Sequence, residues 1–194
     1  MDKRPIVDFF DRCASSWDAN TVRRDAIIGK IMDAAGIHAG MDVLDVACGT
    51  GVLFPDYRAR GVRTLTGIDI SPEMVKIAVA NNPDVTVICG DVEEADFPDK
   101  FDAIMVYNAF PHFFDPEHLI ATLTEKLRVN GTLTVAHGMS REALQHHHSG
   151  AASHVSVDLL HENELAALFE RCGLHITAKI SDHEKYIVSG IFHG

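Results

Sequence analysis

The run Val43-Leu44-Asp45-Val46 passes directly into Ala47-Cys48-Gly49-Thr50-Gly51, and that junction limits the folds open to the chain. A short apolar run carrying one acid suits a strand covered on both faces, the setting of a parallel sheet. Gly49 and Gly51 remove Cβ atoms where the chain must turn and where a ligand can approach the backbone. Residues 52–57 then read as the opening of a helix whose first N–H groups point back at that ligand. Twenty residues past Gly49, Gly67-Ile68-Asp69-Ile70 ends a second apolar run in an acid. Strand, glycine turn, helix and an acid at the next strand's end is the nucleotide-binding order, with the acid accepting ribose hydroxyls.

The dinucleotide fingerprint wants a third glycine near position 54, where this chain has Phe54, and no Gly-Lys-Ser/Thr phosphate loop is present. The series Asp45-Val46-Ala47-Cys48-Gly49-Thr50-Gly51, then Gly67-Ile68-Asp69-Ile70-Ser71, then Cys89-Gly90-Asp91-Val92 resembles the S-adenosylmethionine-binding core of class I methyltransferases. That cofactor has no phosphate to cradle, which agrees with the missing third glycine. The segment Phe9-Phe10-Asp11-Arg12-Cys13-Ala14-Ser15-Ser16-Trp17-Asp18 is similar to the N-terminal aromatic segment of the ubiquinone/menaquinone-biosynthesis-type small-molecule methyltransferases. There it lies over the cofactor as a lid; packing of Trp17 onto the core is the equally weighted alternative.

The rest of the chain fits a single domain over 1–194, with a helical lid over 1–36. Apolar runs at 42–47, 63–70, 85–89, 101–107 and 131–137 read as strands, and helices are expected near 52–60, 72–81 and 116–128. Ser71-Pro72 and Asp115-Pro116 each supply an N-cap followed by proline at the first helical position. The lid reads as two helices, broken at 14–18, the second running from about Thr21 to a stop at Gly36. After position 138 the rhythm lapses in a His-rich insertion over 139–160. It resumes with an amphipathic helix from Glu162 to a Gly173 stop and two runs, 174–181 and 185–192. The expected architecture is α/β and Rossmann-like: a seven-stranded, mostly parallel sheet, helices on both faces, the last strand antiparallel.

The resemblance implies roles for residues just past each strand. Asp45 is expected to order the loop and reach the cofactor's amino-acid portion. Ala47, Gly49 and Gly51 supply backbone at close range. Asp69 takes the ribose hydroxyls and Ile70 packs on adenine. Asp91 accepts from the adenine amino group while Val92 donates to the ring. Asn108 lies near the methionine end, and Trp17 covers the site. Loop capping is the competing role for each acid.

On the acceptor side, Asn108-Ala109-Phe110-Pro111 departs from the Asn/Asp-Pro-Pro-aromatic signature of base and glutamine methylation. The 28 acidic residues outnumber the 17 Lys plus Arg, and a net charge of −11 opposes a phosphate backbone. A small-molecule acceptor is therefore expected, with no nucleic-acid or membrane partner, in a cytoplasmic monomer or homodimer. The scattered cysteines, with no C-x-x-C pair, suit a reducing compartment.

The chain has 12 histidines, eight of them between residues 112 and 161. His112 and His137 follow the fourth and fifth strands and are the candidate catalytic bases, since unperturbed imidazole titrates near about 6.5. A competing reading gathers His137, His147 and His148 around a divalent transition metal. Consecutive histidines step by about 100° on a helix, so the run 146–148 cannot turn wholly to one site, and a solvated loop is its plain alternative. Two functions stay open: methyl transfer to a small molecule, with a His base or bound metal, and a metal-binding or sensor protein on the same fold with little catalysis.

Overall fold

The computed structural model describes residues 2–148 and 155–194, apart from the side chains of 145–148. Seven strands form one sheet: β1 (Asp42–Val46), β2 (Thr64–Asp69), β3 (Thr86–Cys89), β4 (Phe101–Tyr107), β5 (Leu127–His137), β6 (Leu174–Ser181) and β7 (Tyr186–Phe192). Their order is β3-β2-β1-β4-β5-β7-β6. The pairs among β1 to β5 are parallel, and β7 lies antiparallel to both β5 and β6. The order reverses direction between β1 and β4, the place where open parallel sheets take ligands.

Seven helices cover the described residues: α1 (Arg4–Asn20), α2 (Asp25–Ala34), α3 (Phe54–Ala59), α4 (Pro72–Asn81), α5 (Pro116–Glu125), α6 (Arg141–His148) and α7 (Glu162–Arg171). The caps read from sequence form: Ser71 Oγ accepts from Met74 N at 3.2 Å, Asp115 Oδ1 from His118 N at 3.0 Å, and α2 stops at Gly36 with φ 70°. Two expectations change. Residues 14–18 do not break α1, which runs unbroken to Asn20, and α2 begins at Asp25 rather than near Thr21. The insertion after β5 opens as α6, for which Ser140 supplies the cap, accepting from Ala143 N at 3.1 Å.

Strand alternation divides the core in two. Leu44 and Val46 of β1, with Ile104, Val106, Leu133 and Val135, face α5 and α7. Val43, Ala103 and Met105 face α2 and α3, against Ile28, Ile31, Phe54 and Tyr57. At the end of the sheet away from the glycine loop, Asp42 accepts from Arg63 at 2.5 and 2.8 Å and from Arg128 at 2.7 Å. Arg128 also reaches Asp102 at 2.8 Å, tying β1, β2, β4 and β5 together. Among the described residues no helix is long and apolar enough to cross a membrane.

Candidate functional site

A cavity of about 580 Å³ opens over the carboxyl ends of β1, β2 and β4, floored by the glycine loop and roofed by α1. The loop geometry follows from local sterics. Ala47, Gly49 and Gly51 all have positive φ, at 52°, 56° and 87°. At Gly51 a Cβ would stand 2.6 Å from the Phe54 ring, and at Gly67 2.8 Å from the same ring. Phe54, where the dinucleotide fingerprint would have its third glycine, thus fills the space beneath the turn. At Gly49 and Gly90 a Cβ would meet nothing within 4 Å, so the backbone there is bare along the cavity wall. Ala47 carries the same left-handed conformation without glycine's freedom, a local strain held by Cys48 N donating to Ile68 O at 3.1 Å.

Asp69 and Asp91 both line the cavity, and both also order their own loops. Asp69 accepts from Gly49 N at 2.8 Å and Ser71 N at 2.9 Å, locking the glycine loop to the start of α4. Burial pushes its carboxyl up despite those donors and the Ile70 N–H beside them. A carboxylate has about four lone-pair sites, so it can still accept from a ligand. Asp91 accepts from Glu93 N at 3.1 Å and from the Lys3 ammonium, which also bonds Glu93. Ile70, Val92, Asn108 and Trp17 line the cavity as well. Asn108, at φ 54°, accepts from Gly138 N at 2.9 Å, so its side chain clamps the ends of β4 and β5 together.

Asp45 does not line the cavity. It shares strand parity with Val43, which turns it toward the α2 and α3 face, where the Tyr57 hydroxyl faces it. It is 2% exposed, and burial, with Asp69 nearby, drives its carboxyl well above the usual range.

The two candidate bases part company. His112 sits in a short 3₁₀ turn (Phe110–His112) on the cavity wall. Its Nδ1 lies 2.9 Å from the Val155 carbonyl and 3.3 Å from Ser156 Oγ, and its ring meets Phe10 edge-on at 4.9 Å. With a carbonyl as partner, Nδ1 is the donor of that contact. His137 stands apart from the cavity. It shares parity with Leu133 and Val135, faces the α5 and α7 side fully buried, and packs at 6.1 Å from the Tyr186 ring, outside the cavity. The side chains of His147 and His148 lie outside the described residues, and among the described residues no three His, Cys, Asp or Glu gather as metal ligands.

Sequence reasoning missed the polar ties of the roof. Lys3 meets Asp91, Asp11 accepts from Ser71 Oγ at 2.5 Å and Glu73 N at 3.2 Å, and Asp18 accepts from Thr50 Oγ at 2.6 Å. After α1 the linker is pinned on both sides. Arg23 bonds the Val52 carbonyl and Asp56, while Arg24 reaches the Gly138 carbonyl at 3.0 Å. Partners so far apart in sequence leave no local signal.

Known proteins resemble this chain in sequence and in fold. Residues 43–131 match a family described as a methyltransferase domain. A malonyl-acyl-carrier-protein O-methyltransferase of Acetivibrio thermocellus is 30% identical over 144 residues, 69% of this chain and 49% of that protein. A demethylmenaquinone methyltransferase of Renibacterium salmoninarum is 31% identical over 147 residues, 70% of this chain and 60% of that protein. The chain thus spans about half the length of the curated relatives it matches. In fold it is similar to a magnesium protoporphyrin IX methyltransferase from Synechocystis solved with bound S-adenosylhomocysteine. The TM-score is 0.75 at 16% identity, covering 98% of this chain and 100% of that one.

Proposed function

Because the chain belongs to the class I S-adenosylmethionine-dependent methyltransferases, we propose that it moves a methyl group from that cofactor to a small-molecule acceptor. The observation carrying this reading is the roofed cavity itself. Bare backbone at Gly49 and Gly90 is flanked by the carboxylates of Asp69 and Asp91, while His112 stands on the same wall. S-adenosylmethionine, when bound, supplies an already activated methyl group.

The chain's own residues then have mainly to bind, orient and exclude water. Asp69 accepts ribose hydroxyls with the lone pairs its loop bonds leave over, and Ile70 and Val92 flank the base. Asp91 accepts the adenine amino group, sharing its charge with Lys3. Ala47, Gly49 and Gly51 bring backbone close, and Asn108 holds the β4–β5 edge beside the methionine end. Trp17 and Phe10 of α1 keep water from the acceptor. His112 takes the acceptor's proton, its ring held by the Val155 carbonyl at Nδ1. The acceptor is small and largely apolar where it meets Phe10, Trp17 and Phe113, and the cationic side chains along the wall, Lys3 and Arg23, are committed to carboxylates. All four cysteines are free, which supports a reducing, cytoplasmic setting.

Calorimetric titration with S-adenosylmethionine and S-adenosylhomocysteine, followed by transfer of labelled methyl to a panel of hydroxyl, amine and thiol acceptors, tests the reading. Micromolar binding of both ligands and label in a small product are expected. Failure to bind either ligand overturns it.

A further inference from the structure

The last turn of α1 brings an aromatic ring and a carboxylate to the cavity wall in succession, Trp17 and Asp18. The Trp17 ring is steadied by Phe10 in an edge-on contact at 5.7 Å. The Asp18 carboxylate is steadied by Thr50 of the glycine loop, whose hydroxyl donates to Oδ1 at 2.6 Å. Among the described residues no Lys or Arg pairs with Asp18. The two cations on the same wall are already taken, Lys3 by Asp91 and Glu93, Arg23 by Asp25 and Asp56.

The setting of Asp18 is electrostatically adverse. It lies in the last turn of a 17-residue helix that has no basic residue there, where the outward carbonyls already concentrate negative charge. A carboxylate held in place by a neighbouring loop, at the negative end of a helix, with no cation of its own, is set to receive one. The adjoining indole has the same preference, because an aromatic face attracts a cation, tryptophan most strongly.

Resting on the proposed methyl transfer, we propose that Asp18, assisted by Trp17, is the residue that distinguishes methyl donor from demethylated product by the charge on sulfur. In transfer a lone pair of the acceptor forms the new bond to the methyl carbon. The electrons of the S–C bond retreat to sulfur, and the acceptor's proton passes to His112. Sulfur thereby changes from a sulfonium cation to a neutral thioether, while the ammonium and carboxylate at the other end of the molecule are unchanged. Asp18 attracts the first state and not the second. The tie between α1 and the glycine loop is therefore reinforced before transfer and relaxed after it, which favours product release.

The test is calorimetry on the full chain with S-adenosylmethionine and S-adenosylhomocysteine in parallel. Asp18→Asn keeps an acceptor for the Thr50 hydroxyl while removing the charge. It is expected to weaken S-adenosylmethionine about fourfold, the scale of an exposed charge contact, and S-adenosylhomocysteine less than about twofold. Thr50→Val keeps the charge but frees its anchor, and is expected to give a smaller loss with the same bias. Equal losses for both ligands in both variants would place Asp18 against a group the two share and overturn the proposal, with methyl transfer left standing. Binding of neither ligand by the unaltered chain overturns the methyl-transfer reading and this one with it.

Discussion

The ammonium of Lys3 donates to Oδ2 of Asp91, so the carboxylate expected to meet adenine is already answered by the chain's own N-terminal segment. Lys3 also bonds Glu93, which fastens the start of α1 beside the β3 loop. Lys3→Met leaves Asp91 an unshared acceptor. Cofactor affinity is expected to rise about threefold while protease resistance of the first 20 residues falls, the contact being partly exposed. Calorimetry and limited proteolysis measure the two effects, and a fall in affinity would show that Lys3 serves chiefly to hold α1 in place.

Asp69 has two duties that substitution can separate. Asp69→Ala removes the acceptor of both Gly49 N and Ser71 N, so loop order and ligand binding are lost together. The expected cost in cofactor affinity is on the order of a hundredfold, from about 1–3 kcal/mol for each buried donor left unanswered. Asp69→Asn keeps one acceptor oxygen and should lose roughly tenfold. Equal affinity in wild type and Asp69→Ala would remove Asp69 from ligand binding altogether.

His112 and His137 make opposite predictions. His112→Gln is expected to bind cofactor within about twofold of wild type, lose about a hundredfold in turnover, and flatten the acid limb of the pH–rate profile. His137→Ala hollows the packing against Tyr186 and is expected to cost about 2–4 kcal/mol of stability, with turnover per folded molecule unchanged. Denaturant titration alongside steady-state assays distinguishes them. A His137→Ala protein that is stable yet inactive would bring that residue back into the chemistry.

Acid should loosen the far end of the sheet first. The guanidinium groups of Arg63 and Arg128 hold the Asp42 carboxyl well below the usual range. A depressed folded pKa means the stabilisation is complete above the unfolded value of about 3.9 and drains away as pH falls below it. Asp42→Asn is therefore expected to lower the thermal midpoint at pH 6, with the gap to wild type narrowing as pH falls below about 3.9 and closing only as it passes through the far lower folded value. A gap independent of pH would mean that packing, rather than charge, sets the contribution of Asp42.

Asp45 carries the reverse sign. Burial raises its carboxyl, so the folded chain holds the proton more tightly than the unfolded one, and stability declines as pH rises from about 4 through the folded value. Asp45→Asn removes that penalty and is expected to raise the melting temperature more at pH 8 than at pH 5. Calorimetric scans at the two pH values check the difference.

Much of the architecture was readable because it rests on local rules. Short apolar runs mark the central strands, Ser71-Pro72 and Asp115-Pro116 mark helix starts, and the spacing of Gly49, Gly51 and Asp69 marks the edge where the cavity opens. The facing of His137 was also available, since Leu133 and Val135 share its parity; its position at a strand end drew attention instead. Ser140-Arg141-Glu142 carried a cap signal for α6 that the histidine run obscured. The unbroken α1 was not readable. Ser15 and Ser16 are middling helix formers, and the helix passes through them because α1 packs along α4. Nor were the ties Lys3–Asp91, Asp11–Ser71 and Asp18–Thr50, which join residues 32 to 88 positions apart.

Those ties also bear on the order in which the molecule is made. During synthesis α1 precedes every strand, yet the groups that hold it, at positions 50, 71 and 91, emerge only later. The roof is thus translated before the sheet it rests on and cannot dock until β1, β2 and β3 have paired. A nascent chain carries its cavity open until then, and the apolar side of α1, with Ile6, Phe10 and Trp17, waits uncovered in the interval.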